Sequence, residues 1–82
     1  MTIEALLNDR QKTHGDFDVD ATICQDLKEV MHVKDWPQLN PVQRQALEMI
    51  AVKIARILAG NPDYKDHWDD IAGYAKLVSD RL

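Results

Sequence analysis

Lys53 and Arg56 stand one helical turn apart, and so do Asp66 and Asp70 a short way further along the chain. Carboxylates spaced i, i+4 can share a hard cation such as Mg²⁺, which can then bridge phosphate oxygens. Lys53 and Arg56 supply complementary positive charge, and the arginine fork suits bidentate contact with phosphate. Arg10 is a third cation. It continues the apolar stripe of its own helix and therefore needs a partner. Two readings of this set stay open. Arg10, Lys53 and Arg56 could contact nucleotide phosphates while Asp66 and Asp70 hold Mg²⁺. Alternatively, the same groups neutralise one another as salt bridges between helices, the commoner fate of such patterns.

Little else points to chemistry. His14, His32 and His67 lack the spacing of a metal set, and Cys24 stands alone. No nucleophile and base pair suggests itself. His67 lies beside the acidic pair and is expected as an exposed first-turn residue. Asp16-Phe17-Asp18-Val19-Asp20 looks like the start of a calcium loop, but Ala21 replaces the required glycine and Leu27 the closing glutamate. It reads instead as an acidic helix-capping stretch with Phe17 and Val19 turned to the core. Trp36 and Trp68 are expected as core or interface anchors.

These residues must be held by helices. The first is expected from Ile3 to Lys12, capped by Thr2, with Ile3, Leu6 and Leu7 as its stripe and Gly15 as a left-handed stop. The second spans Ala21 to Val33, capped by Asp18 or Asp20, and ends before Trp36-Pro37. Asn40-Pro41-Val42-Gln43 opens the third with a cap, a first-position proline and a glutamine suited to a capping box. It runs to Leu58 or Ala59 and stops at Gly60. The fourth begins between Asp63 and Asp66 and continues to the end of the sequence. No segment reads as a strand. The expectation is an all-α, antiparallel bundle of about four helices forming one domain over residues 1–82.

A chain of 82 residues has a marginal core. On the third helix, Leu47, Ile54 and Leu58 share one direction, yet Met49 and Val52 fall on the far side. A helix apolar nearly all round needs cover on every side, so a homo-oligomer is expected. Gly73, inside the fourth helix, implies either close helix packing or access to a site. The net charge of −4 and dispersed cations argue against binding in a DNA groove. No apolar run approaches the length of a membrane span, and the N-terminus has no signal-peptide profile. With a single cysteine, a reducing cytoplasmic location is expected.

Three runs carry a resemblance over nearly the whole chain: Arg10-x-x-x-His14-Gly15, Lys53-x-x-Arg56, and Asp66-x-x-x-Asp70-Ile71-Ala72-Gly73-Tyr74. They are similar to a family of small phage and prophage proteins of unestablished function, in which a tyrosine is usual where His14 stands. That family is in turn distantly similar to the all-α nucleoside triphosphate pyrophosphatases of the MazG type. The resemblance implies a MazG-like helical assembly and Mg²⁺ bound by acidic helix motifs. The helix bearing Asp70 would correspond to one such motif, with His67 at its −3 position. Of the paired glutamates on an earlier helix, only Asp26 and Glu29 have similar spacing. The expected function is a self-associating phage-type protein whose polar face binds a nucleotide or a host protein without catalysis. A Mg²⁺-dependent pyrophosphohydrolase of nucleoside triphosphates is the alternative, so enzymatic activity stays open.

Overall fold

Asn40 and Gln43 start the longest helix reciprocally. Asn40 Oδ1 accepts the Gln43 N–H at 2.8 Å, and Gln43 Oε1 accepts the Asn40 N–H at 3.0 Å. Two donors that the first turn leaves unpaired are thereby satisfied. In the computed structural model, which describes residues 2–82, this helix is the third of four. They are α1 (Ile3–His14), α2 (Phe17–Met31), α3 (Pro41–Ala59) and α4 (Lys65–Ser79). A 3-10 turn at Trp36–Gln38 precedes α3, and no strand occurs among the described residues. The all-helical expectation therefore holds, as a small bundle.

The start of α2 differs from the expectation because a different residue caps it. Asp16 accepts the Asp18 N–H, so α2 begins at Phe17 and not at Ala21. Asp18 and Asp20 become its first turn, where carboxylates favour the positive helix end. Phe17, expected in the core, is 78% exposed as a result.

α3 occupies the middle, and α2 and α4 pack along it without substantial contact with each other. Both flanking helices run antiparallel to α3. Asp20 of α2 feels the charge of Arg56, while His32, just past the other end of α2, comes within 3.7 Å of Glu48. On the other side, Lys53 meets Asp70 at 2.9 Å. The residues buried at these contacts are small: Cys24, Ala46, Ala51 and Ala55. Small side chains let helix axes approach closely, but they remove little apolar area from water. α1 buries none of its residues, so the expectation that Ile3, Leu6 and Leu7 face a core within the chain is corrected. Arg10, on that stripe, is exposed too.

Candidate functional site

Gly15 and Gly60 cross in near contact and tie the end of α1 to the ends of α3 and α4. A Cβ on Gly15 would lie 2.1 Å from the Ala59 carbonyl oxygen, and one on Gly60 would lie 2.5 Å from the His14 carbonyl carbon. Gly15 also has φ 81° and ψ −173°, a region open essentially to glycine alone. It is a stop with positive φ, as expected, although not the compact left-handed helical form.

The crossing places the Thr13 carbonyl between two donors. Asn61 N–H donates to it at 3.1 Å, and His67 Nε2 donates at 3.0 Å. His67 is the most enclosed polar side chain, 2% exposed, which corrects its expected place on the surface. Its ring meets those of His14 and Tyr64 edge-on, with centroids 5.0 and 4.8 Å away. A hydrogen bond explains why a polar ring is tolerated there, since burying it unpaired would be costly. The signal in the sequence was Asn61-Pro62, whose turn brings the first turn of α4 back against α1.

Beside this cluster lies a cleft of about 330 Å³ lined by Arg10, His14, Asp16, Asp20 and Arg56, with Leu7 and Phe17 at its apolar part. That is near the lower end of ligand-site volumes, ~300–1,000 Å³. Arg56 Nε is buried here with no hydrogen-bond partner among the described residues. Burial holds the His14 imidazole down to about 4, and the charges of Arg56, His67, Arg10 and Lys53 act in the same direction. His14 is therefore neutral near pH 7 in a locally positive setting, although the chain is acidic. Burial pushes the Asp20 carboxyl above its usual range, and Arg56 and His67 oppose that shift.

The expected residues divide between two places. Arg10 and Arg56 share the cleft, and neither makes an ion pair among the described residues. Lys53 instead holds Asp70, whose carboxyl drops below its usual range chiefly through that hydrogen bond. Asp66 is exposed and without an ion pair within 4 Å among the described residues. No group of three or more potential metal ligands occurs among the described residues. Asp66 and Asp70 would thus have to hold Mg²⁺ as a bare pair, with Asp70 released from Lys53. Gly73 packs against nothing, since a Cβ there would find no atom within 4 Å. Close packing within the chain is therefore not its reason. The cleft residues missed by spacing alone, His14, Asp16 and Asp20, come from the α1–α2 connection, whose geometry depends on the distant Gly60.

The fold and the cleft define a small all-helical protein with a recess lined by two arginines and two aspartates where three helices meet. The chain belongs to the family described as a domain of unknown function (DUF6378), whose pattern matches residues 2–81. No curated protein matches it, and no solved structure does. No helix among the described residues is long and apolar enough to cross a membrane.

Proposed function

We propose that this chain is a non-catalytic, self-associating helical module of phage type that holds nucleotide phosphates in the Arg10–His14–Arg56 cleft. The unpartnered, buried Nε of Arg56 carries the reading. A guanidinium N–H withdrawn from water and left unpaired costs ~1–3 kcal/mol or more, and a phosphate oxygen would relieve that cost. Arg10 lies across the same recess and adds a second fork. His14, neutral, can donate or accept a hydrogen bond without adding charge repulsion between the arginines.

The MazG-like resemblance keeps the alternative, a Mg²⁺-dependent pyrophosphohydrolase, in play; its metal would rest on a bare carboxylate pair, one member of which, Asp16, already caps α2. Asp16 and Asp20, one turn apart, line the cleft together with the arginines. In that reading Asp16 and Asp20, rather than Asp66 and Asp70, would hold Mg²⁺, which would supply charge neutralisation for the phosphoryl group.

Calorimetric titration of deoxynucleoside triphosphates, with and without Mg²⁺, tests both. Sequestration predicts saturable binding, weakened at least ~10-fold by Arg56→Met and by added salt, with no pyrophosphate released. Pyrophosphate release abolished by Asp20→Asn would establish the enzyme. No binding at millimolar nucleotide would refute the phosphate reading and leave a host protein as the partner of the polar face.

A further inference from the structure

We infer that a second copy of this chain docks on the face formed by α2, α3 and α4 on the side of the layer away from Lys53, Asp70 and Arg56. Helical projection on the antiparallel arrangement gives each helix an apolar row on that side. α3 contributes Leu47, Ile50, Ile54 and Leu58, while α4 contributes Trp68, Ile71, Ala75 and Val78. Leu39, Leu47, Ile50, Ala75 and Val78 line one continuous groove, which fixes the α3 and α4 rows on the same side. The projection of α2 brings Val19, Ile23 and Val30 to that side as well. Leu58 is 66% exposed, Trp68 55% and Val30 71%. No charged residue of α3 or α4 projects into the middle of these rows; on α2, Asp26 falls between Ile23 and Val30 and puts one exposed carboxylate on that helix's row.

Area and shape identify the occupant as another copy. The chain exposes 5973 Å², whereas a compact monomer of 9.4 kDa is expected to expose about 5,000 Å². The excess is close to the ~800 Å² per partner of a standard stable interface. The radius of gyration, 14.2 Å, also exceeds the ~12 Å of a compact domain this long. Two features contribute to both departures: α1 buries none of its residues, and the apolar rows of α2, α3 and α4 have no cover within the chain. A two-fold pair would bring the apolar rows together and make a two-layer structure from the same sequence. An isologous contact centred on the α3 and α4 rows suits such a face, because those apolar rows complement themselves without charge matching and Asp26 lies on the α2 side. This inference does not depend on the phosphate reading, because the cleft lies on the other side of the layer.

Sedimentation velocity and light scattering over a range of concentrations test it. The wild-type chain should have twice the monomer mass at micromolar concentration. Leu58→Glu, tolerable in a monomer because Leu58 is largely exposed, should weaken association on the order of 100-fold or more by placing a charge in the buried contact. Leu77→Lys, half-exposed beside Gly73 and Asp70, should leave association unchanged. A second readout uses Trp36→Phe, which leaves Trp68 as the sole tryptophan. Its emission should move to longer wavelength as dilution separates the copies. A wild-type chain that stays monomeric would overturn the inference, leaving a different protein to cover the face. So would a dimer lost in Leu77→Lys but kept in Leu58→Glu, or Trp68 emission unchanged while the mass falls.

Discussion

Replacing Gly15 by alanine should remove most of the stability of this protein. The backbone there sits at φ 81°, ψ −173°, and imposing that conformation on a residue with a side chain costs ~1–3 kcal/mol. The new methyl would also lie 2.1 Å from the Ala59 carbonyl oxygen. Ordinary contact is beyond 3.4 Å, so the chains must part by more than 1 Å. That movement breaks the bonds to the Thr13 carbonyl from Asn61 N–H and His67 Nε2. Each is worth ~1 kcal/mol net, and stranding the His67 donor in its buried site adds ~1–3 kcal/mol. The sum is at least ~4 kcal/mol, against a total of ~4–12 kcal/mol for a domain of this length. Urea unfolding followed by circular dichroism, at one fixed protein concentration because association shifts the midpoint, measures the loss. Gly60→Ala should lose a comparable amount, and the double variant should lose much less than the sum, because both changes open the same contact. A loss under ~1 kcal/mol for Gly15→Ala, with α1 still protected from hydrogen exchange, would refute the reasoning.

Gly73→Ala should act in the opposite direction, raising stability by ~0.5–1 kcal/mol, because the added methyl meets no neighbour and the helix gains propensity. A decrease in the urea midpoint would show that a partner or ligand approaches the backbone there. Stability should fall as pH drops from about 7 toward 4, because the unfolded chain takes up a proton on His14 that the folded chain refuses. The full shift corresponds to ~3 kcal/mol, and solvent screening of this partly enclosed ring reduces that to ~1–2 kcal/mol. His14→Phe should flatten the slope within that window, as read from unfolding curves at a series of pH values. Asp70 acts lower on the scale. Its depressed carboxyl gives stability that is present above the ordinary aspartate range and lost as pH falls through its folded value, and Asp70→Asn should abolish that lower step.

The helices were legible because their ends carry chemistry that works locally. Asn40, Pro41 and Gln43 start α3 with contacts spanning three residues, and Gly60 ends it as expected. α2 was displaced by four residues because three aspartates competed for its cap, and Asp16 wins by reaching the Asp18 N–H. The candidate site was legible only in part. Lys53 and Asp70 sit on adjacent antiparallel helices, so periodicity alone brings them together. The place of His67 is different in kind. Its burial depends on the approach of Thr13, 54 positions earlier, and no helical period encodes a contact so distant. The cleft around Arg56 shares that origin in part, since His14 reaches it only through the Gly15–Gly60 crossing, whereas Asp20 arrives with α2 packed along α3.

The two glycines therefore link features that look separate along the chain. A side chain at either one would push α1 away from the end of α3, and Arg56 would then face open solvent on that side. Water would pair its Nε, and the observation on which the phosphate proposal rests would disappear. The crossing thus does for the cleft what the exposed apolar rows do for the layer, holding a group in an incompletely satisfied state until something else arrives. For the rows, the proposed occupant is a second copy. For Arg56, the proposed occupant is a phosphate. Because the cleft and the rows lie on opposite sides of α3, neither occupant blocks the other. If both proposals hold, a dimer should present two Arg10–Arg56 clefts facing outward and bind two phosphate ligands per pair of chains. A stoichiometry of one ligand per dimer would require the clefts to meet at the interface, and would contradict the arrangement of α3 between them.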